Sequence, residues 1–247
     1  MTRHRGLLAS LVLGFGAATR LPGQADSAIS PLRLKLNLAA TRLDLYRNDS
    51  LVARFPVAVG QRDYPTPLGS WNPWWIPPTS DWTRGKLPTP PGPTSRVKLN
   101  FKPLYFLHGT PDEASIGSAS SHGCVRLRNA DAIELAIEVM HAGIPAGDSV
   151  LTTVLATDTT ATSSWLLERP VPIVIVSRPV EIERDTLFLF PEPYLQRPAS
   201  AIDLVFAALR VAALGRPIDS VAVARFAATA RGRPAKVPVR SLLRGPP

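Results

Sequence analysis

Cysteine is nearly absent from this chain: 247 residues contain one, Cys124. That excludes an internal disulfide and any zinc site built on paired cysteines. Acidic residues are also few, 19 against 28 lysines and arginines, and none lies beyond Arg231. The resulting net charge of +9 favours anionic partners without choosing among nucleic acid, acidic polymer and anionic surface. Long apolar runs are missing too. Gly6 to Ala18 is apolar but too short to span a bilayer comfortably, and no later segment is long and apolar enough to cross one. No internal repeat is visible.

Around that short run the layout is that of a secretory signal. Arg3, His4 and Arg5 precede it, and Gly23-Gln24-Ala25 supplies small residues for cleavage, so residues 1–25 read as a signal peptide. Export to a periplasm or cell envelope, with no stable membrane span after signal removal, argues against nucleic acid as a partner. Outside the reducing cytosol an unpaired cysteine is a reactive thiol or a hazard.

Most of the remaining pattern is β. Leu32, Leu34, Leu36 and Leu38 alternate with polar residues, Leu43 and Leu45 continue the alternation, and Asn48-Asp49 marks a turn before Leu51, Ala53, Phe55, Val57 and Val59. Consecutive antiparallel strands are expected. From Tyr64 to Pro93 come nine prolines and four of the five tryptophans, which predict a long ordered loop outside any sheet interior. A strand is expected over Leu104 to His108, with Gly109 free to turn the chain. Asn129 as N-cap, the stripe Ile133, Ala136, Ile137 and Met140, and the stop at Gly143 and Pro145 predict a helix, with His141 a surface group in its last turn.

Another strand is expected over Ser149 to Leu155, then a Thr/Ser linker over residues 157–169. Residues 170–247 read as a small α+β accessory region. It has strands near Val171–Val176, Val180–Ile182 and Leu187–Phe190, and helices near Ala201–Leu214 and Ile218–Ala230. Its basic tail suits anionic wall polymer.

Chemistry concentrates in His108-Gly109-Thr110 and Ser121-His122-Gly123-Cys124-Val125-Arg126. The attacking species of a cysteine is the thiolate, so Cys124 needs a base or a depressed pKa. Its surroundings read as those of an ionised, exposed thiol just ahead of a helix, whose N–H groups favour negative charge and an oxyanion. Gly123 permits a tight turn, and His108 is a candidate base. A metal site on His108, His122 and Cys124 lacks a fourth ligand, and an inert buried cysteine fits poorly among Ser, His, Gly and Arg.

These motifs resemble the L,D-transpeptidase catalytic domain family (YkuD-like). The intervening Ile116-Gly117 and the upstream Pro65-Thr66-Pro67-Leu68-Gly69 match it too. Pro91-Gly92-Pro93 resembles a family segment, although Thr94-Ser95-Arg96-Val97 follows where relatives continue Asn-Pro-Leu-Gly. The resemblance covers about Leu32 to Leu155, with a weaker echo from Pro170 to Tyr194. It implies a mainly β fold, a curved mixed β-sheet sandwich with one packed helix, over residues 31–156.

The resemblance also implies roles. Cys124 is the nucleophile and His108 the proton carrier, oriented by the Gly109 carbonyl. Gly123 supports the turn, and Ser121, His122 and Arg126 contact substrate. The implied reaction is acyl transfer on peptidoglycan stem peptides, donor and acceptor, for cell-wall crosslinking or, with a protein lysine as acceptor, protein anchoring, and with no metal or organic cofactor. Hydrolysis of the same substrates as an amidase or L,D-carboxypeptidase, and non-catalytic wall binding, are the alternatives.

Overall fold

The alternating leucines near the start form a three-stranded meander: β1 (Leu32–Asn37), β2 (Arg42–Arg47) and β3 (Ser50–Pro56). Leu34 stands opposite Leu45, and Leu36 opposite Leu43, in antiparallel register. Leu43 in turn faces Phe55 on β3. Asn48 and Asp49 both take positive φ (47° and 67°), the hairpin geometry their short polar side chains tolerate. This computed structural model describes residues 30–71, 75–76, 97–144, 165–194, 200–213, 215–230 and 232–245. The expected signal, the Ser149–Leu155 strand and most of the linker lie outside them.

Two five-stranded sheets enclose the main core. One has the order β3-β2-β1-β12-β5, with β12 spanning Ile173–Val176 and β5 Gly69–Trp71. The other has the order β10-β8-β7-β6-β11. Its members are β6 (Trp75–Ile76), β7 (Lys98–Lys102), β8 (Tyr105–Thr110), β10 (Val125–Arg128) and β11 (Trp165–Leu166). Between them a parallel pair joins β4 (Val59–Gly60) to β9 (Ala119–Ser121). Both large sheets are mixed: β1 runs parallel to β12 and β8 parallel to β10. The fold is the expected mainly β, mixed-sheet architecture with a packed helix.

That helix, α1 (Asn129–Gly143), lies against β8 and β10. Leu99, Leu107 and Leu127 of the sheet share one apolar space with its Ala132, Leu135 and Ala136. Leu107 and Leu127 are essentially inaccessible to solvent. Burying each such leucine contributes about 2 kcal/mol.

Five expectations change here. Arg128, not Asn129, is the N-cap of α1 and makes no side-chain cap hydrogen bond, and the buried face of the helix is Ala132, Leu135, Ala136, Val139 and Met140 rather than the stripe through Ile133 and Ile137. Gly69–Trp71 and Trp75–Ile76, in the proline-rich stretch, are strands: β5 pairs with β12, and β6 sits between β7 and β11. The prolines punctuate the stretch, and the pieces between them keep the N–H groups a ladder needs. β12, expected in the accessory region, belongs to the first sheet, since Leu34 to Asn37 pair with Ile173 to Val176. Finally, Gly109 does not turn the chain but continues β8 to Thr110.

A second core follows. β13 (Val180–Glu183), β14 (Thr186–Leu189) and β15 (Ala235–Pro238) form an antiparallel sheet beneath α2 (Ala201–Ala212) and α3 (Ser220–Thr229). Leu187, Val205, Leu209 and Val223 are fully buried there. Ser200 and Asp219 cap the two helices through their side-chain oxygens. β15 is absent from the sequence-based expectations.

This unit docks on the polar face of the β1–β3 meander. Arg42 reaches Glu181 at 2.7 Å, Arg54 reaches Glu183 at 2.8 Å, and buried Asp44 holds both guanidiniums. Asn37 exchanges two hydrogen bonds with the Arg178 backbone, at 3.0 and 2.9 Å. Among the described residues no helix is long and apolar enough to cross a membrane.

Candidate active site

Strand alternation sorts β7, β8 and β10 into two faces. The leucines point at α1. Lys98, His108 and Arg126 therefore share the opposite face, in register across three neighbouring strands. Cys124 precedes β10 by one residue, two before Arg126, and like His108 it feels the charges of Lys98 and Arg126. The parallel register puts its Cα about 8 Å from that of His108, two residues along and one strand across.

His108 ends an otherwise apolar stretch of β8 and is half-buried. Its Nδ1 lies 2.7 Å from the Gly109 carbonyl oxygen. A carbonyl can only accept, so Nδ1 carries the hydrogen in the neutral ring and Nε2 is left as the acceptor. Burial drives the imidazole's pKa down from 6.5 to about 4, and Lys98 and Arg126 push the same way, against the Gly109 bond. The ring is a neutral base near neutral pH.

Cys124 is 8% exposed, not open to solvent as its neighbours suggested. Burial raises the pKa of the thiol, while the Phe106 backbone N–H, Lys98 and Arg126 pull it down. The free protein therefore holds a thiol rather than the expected thiolate. The thiol donates to the Leu104 carbonyl at 3.8 Å, and among the described hydrogen bonds none joins the sulfur to the imidazole. Nor does Cys124 open a helix: β10 intervenes, and α1 begins five residues on, at Asn129. A helix dipole falls off within a turn, so it is not what lowers the charge cost at the sulfur.

The turn that carries Cys124 is built from inside. Gly123 has φ +102°, and a Cβ there would come within 2.8 Å of the Tyr105 ring. The Ser121 hydroxyl accepts from Gly123 N–H at 3.1 Å and donates to the Cys124 carbonyl. Ser121 is 1% exposed, with its hydroxyl committed to the turn. His122 is exposed and packs on the Tyr64 ring, centroids 4.8 Å apart. Arg126 is a quarter exposed and lies 3.9 Å from Asp112. Its backbone exchanges two 2.9 Å hydrogen bonds with Ala58.

Three residues near the site, Lys98, Asn100 and Tyr194, were given no role by the sequence reading, and a fourth, Thr66, entered it only as part of the segment Pro65 to Gly69. Lys98 and Asn100 are buried polar side chains on β7, and the Asn100 Oδ1 has no hydrogen-bond partner among the described atoms. Thr66 accepts from Gly60 N–H at 2.8 Å and donates to the Gly123 carbonyl at 3.0 Å. Tyr194 accepts from the Thr66 N–H at 3.0 Å. Polar residues at inward positions of β7 were the available signal for the first two. Among the described residues no group of three His, Cys, Asp or Glu side chains converges as a metal site would.

Comparison with known proteins identifies the family of this domain. The family model of the L,D-transpeptidase catalytic domain (YkuD) matches residues 31–175. YkuD of Bacillus licheniformis, named as an L,D-transpeptidase, is 34% identical over 122 residues, covering 49% of this chain and 68% of that one. YkuD of Bacillus subtilis is 33% identical over the same shares. The solved structure of an L,D-transpeptidase from Mycobacterium smegmatis aligns over 60% of this chain and 59% of its own, at 14% identity and a TM-score of 0.36. The match to the family model spans more than half of the residues, and on it the chain belongs to the L,D-transpeptidase catalytic domain family.

Proposed function

We propose that this protein is a cysteine acyltransferase acting on peptidoglycan stem peptides. The Cys124 thiol turns from the Leu104 carbonyl toward His108 Nε2 and gives up its proton as the sulfur attacks. The carbonyl attacked is that of the L-centre of a diamino acid such as diaminopimelate. The tetrahedral intermediate collapses to a thioester, and the terminal D-alanine leaves with the proton held by His108. An amine of a second stem then attacks the thioester, returns the thiol and leaves a crosslink. Each step moves one proton through one imidazole, and no metal or organic cofactor takes part.

One observation carries this reading: Cys124 immediately precedes β10, the parallel partner of the strand that carries His108, both groups feel the charges of Lys98 and Arg126, and Nδ1 of the imidazole is already engaged. A neutral base beside a neutral thiol suits proton transfer concerted with attack. Catalytic hydrogen bonds are often long before substrate binds, so a sulfur resting on Leu104 is compatible with it. Arg126 and Lys98 place positive charge beside the reacting pair, where a substrate carboxylate would sit. His122 and Tyr64 form an aromatic rim for the peptide. We place the end of the catalytic domain after Val176, residues 177–245 forming the accessory unit, and assign residues 1–25 to export into the cell envelope. The basic residues from Arg231 onward offer a contact for anionic wall polymer.

The test is incubation of the full chain with disaccharide tetrapeptides, read by mass spectrometry. Crosslinked dimers and released D-alanine are expected, and both vanish in Cys124→Ala. Persistence of dimers in that variant overturns the assignment of the nucleophile.

A further inference from the structure

The Cys124 turn is held from two directions. Ser121 braces it from within, and Thr66 braces it from the proline-rich segment that follows β4. The Thr66 hydroxyl is 3.0 Å from the carbonyl of Gly123, the residue bonded to Cys124. Gln61 N–H adds a 2.8 Å bond to the Ser121 carbonyl. Thr66 is 2% exposed, so its polar atoms have no solvent to fall back on.

The backbone of Thr66 is fixed in turn by a residue from far along the chain. Its N–H donates to the Tyr194 hydroxyl at 3.0 Å. Tyr194 lies beyond residues 31–175, in the connection between β14 and α2, yet its ring is 6% exposed and packs in the first core. The contact acts at one remove from the sulfur: Tyr194 to Thr66, Thr66 to Gly123, Gly123 to Cys124. We propose that Tyr194 is a positioning residue for the candidate nucleophile, so that a part of the chain outside the family domain completes the catalytic turn through Thr66. This rests on Cys124 being the nucleophile.

The reason it matters is geometric. Gly123 already sits at φ +102°, pressed against the Tyr105 ring, so the turn has little slack. Loss of the Tyr194 hydroxyl leaves the Thr66 N–H buried and unpaired. The segment then shifts to find a partner and takes the Gly123 carbonyl with it. A small displacement of a nucleophile slows reaction without weakening ground-state binding.

The experiment uses the full-length chain and a carbapenem as acylating probe, following the adduct on Cys124 by mass spectrometry and its formation by stopped flow. Tyr194→Phe removes one oxygen and keeps the ring. It should lower the limiting acylation rate about three- to tenfold while the apparent dissociation constant stays within about twofold. Thr66→Val should do the same, Thr66→Ser should restore the rate, and the double variant Tyr194→Phe/Thr66→Val should be no slower than Thr66→Val alone. A merely structural tyrosine would lower the melting temperature and leave the rate of the folded fraction untouched. Wild-type acylation in Tyr194→Phe, or multiplying effects in the double variant, overturns the inference. If Tyr194→Phe does not fold, the Thr66→Val and Thr66→Ser pair decides whether Thr66 transmits anything. An adduct that still forms in Cys124→Ala sinks the reading of the nucleophile instead, so the two failures are distinct.

Discussion

His108 illustrates how one side chain is tuned by neighbours of opposite effect. The Gly109 carbonyl stabilises the protonated ring, yet burial outweighs it, with Lys98 and Arg126 adding to the same side, and the pKa settles near 4. Two consequences are measurable. Because the ring must be neutral to take the thiol proton, the acid limb of the free enzyme's acylation rate should fall near pH 4, not at the 6.5 of an unperturbed histidine. Stability should follow the same group. Between about 4 and 6.5 the unfolded chain holds a proton that the folded chain lacks, so stability rises with pH across that window and is lost as pH falls through it. Thermal melts of the wild type from pH 7 down to pH 4 should show that loss, and His108→Gln should flatten it. An acid limb at 6.5 in the wild type contradicts the structure.

The contact of α1 with β8 depends on a missing side chain. A Cβ on Gly109 would come within 2.1 Å of the Asn129 side-chain oxygen and 3.3 Å of the Asn129 Cα. The glycine therefore lets the helix start close against the strand while its carbonyl holds His108. Gly109→Ala should cost about 1–3 kcal/mol in urea unfolding and slow acylation as well, because the displaced backbone carries the imidazole's partner. An alanine tolerated in both measurements would mean the helix approach is looser than drawn. Much at this scale was legible beforehand. The alternating leucines of β1 and β2, the Asn48-Asp49 hairpin and the extent of α1 are local patterns, and local patterns survive in the sequence; which face of α1 is buried did not, since Ala132, Leu135 and Val139 join Ala136 and Met140 while Ile133 and Ile137 stay half-exposed. So did the two motifs, since chemistry limits which residues can stand there. What escaped depends on distant partners. β5 and β6 lie in a proline-rich stretch and become strands by pairing with β12 and with β7 and β11. The burial of Cys124, the membership of β12 in the first sheet and the reach of Tyr194 to Thr66 are likewise products of tertiary packing, with no signature in neighbouring residues.

Across the whole molecule two apolar cores meet through charge. The first is enclosed by the two large sheets and α1; the second holds Leu187, Val205, Leu209 and Val223. Between them run Arg42 to Glu181, Arg54 to Glu183 and Lys35 to Glu181, with Asn37 gripping the Arg178 backbone. Such a network fixes orientation well but adds little net stability, since at buried Asp44, Arg42 and Glu181 the desolvation of the charges offsets most of their attraction. Tyr194 is the exception, an aromatic ring from the connection ahead of α2 embedded in the first core. The arrangement predicts how damage spreads. Leu209→Ala opens a cavity in the second core at a cost of about 2–5 kcal/mol. Hydrogen exchange followed by mass spectrometry should then show faster exchange in α2, α3 and β14, while β1 and β2 hold their protection. Loss of protection in β1 to the same degree would show that the two cores unfold as one cooperative unit. In that case the ion pairs, with Asn37 and Tyr194, transmit far more than orientation.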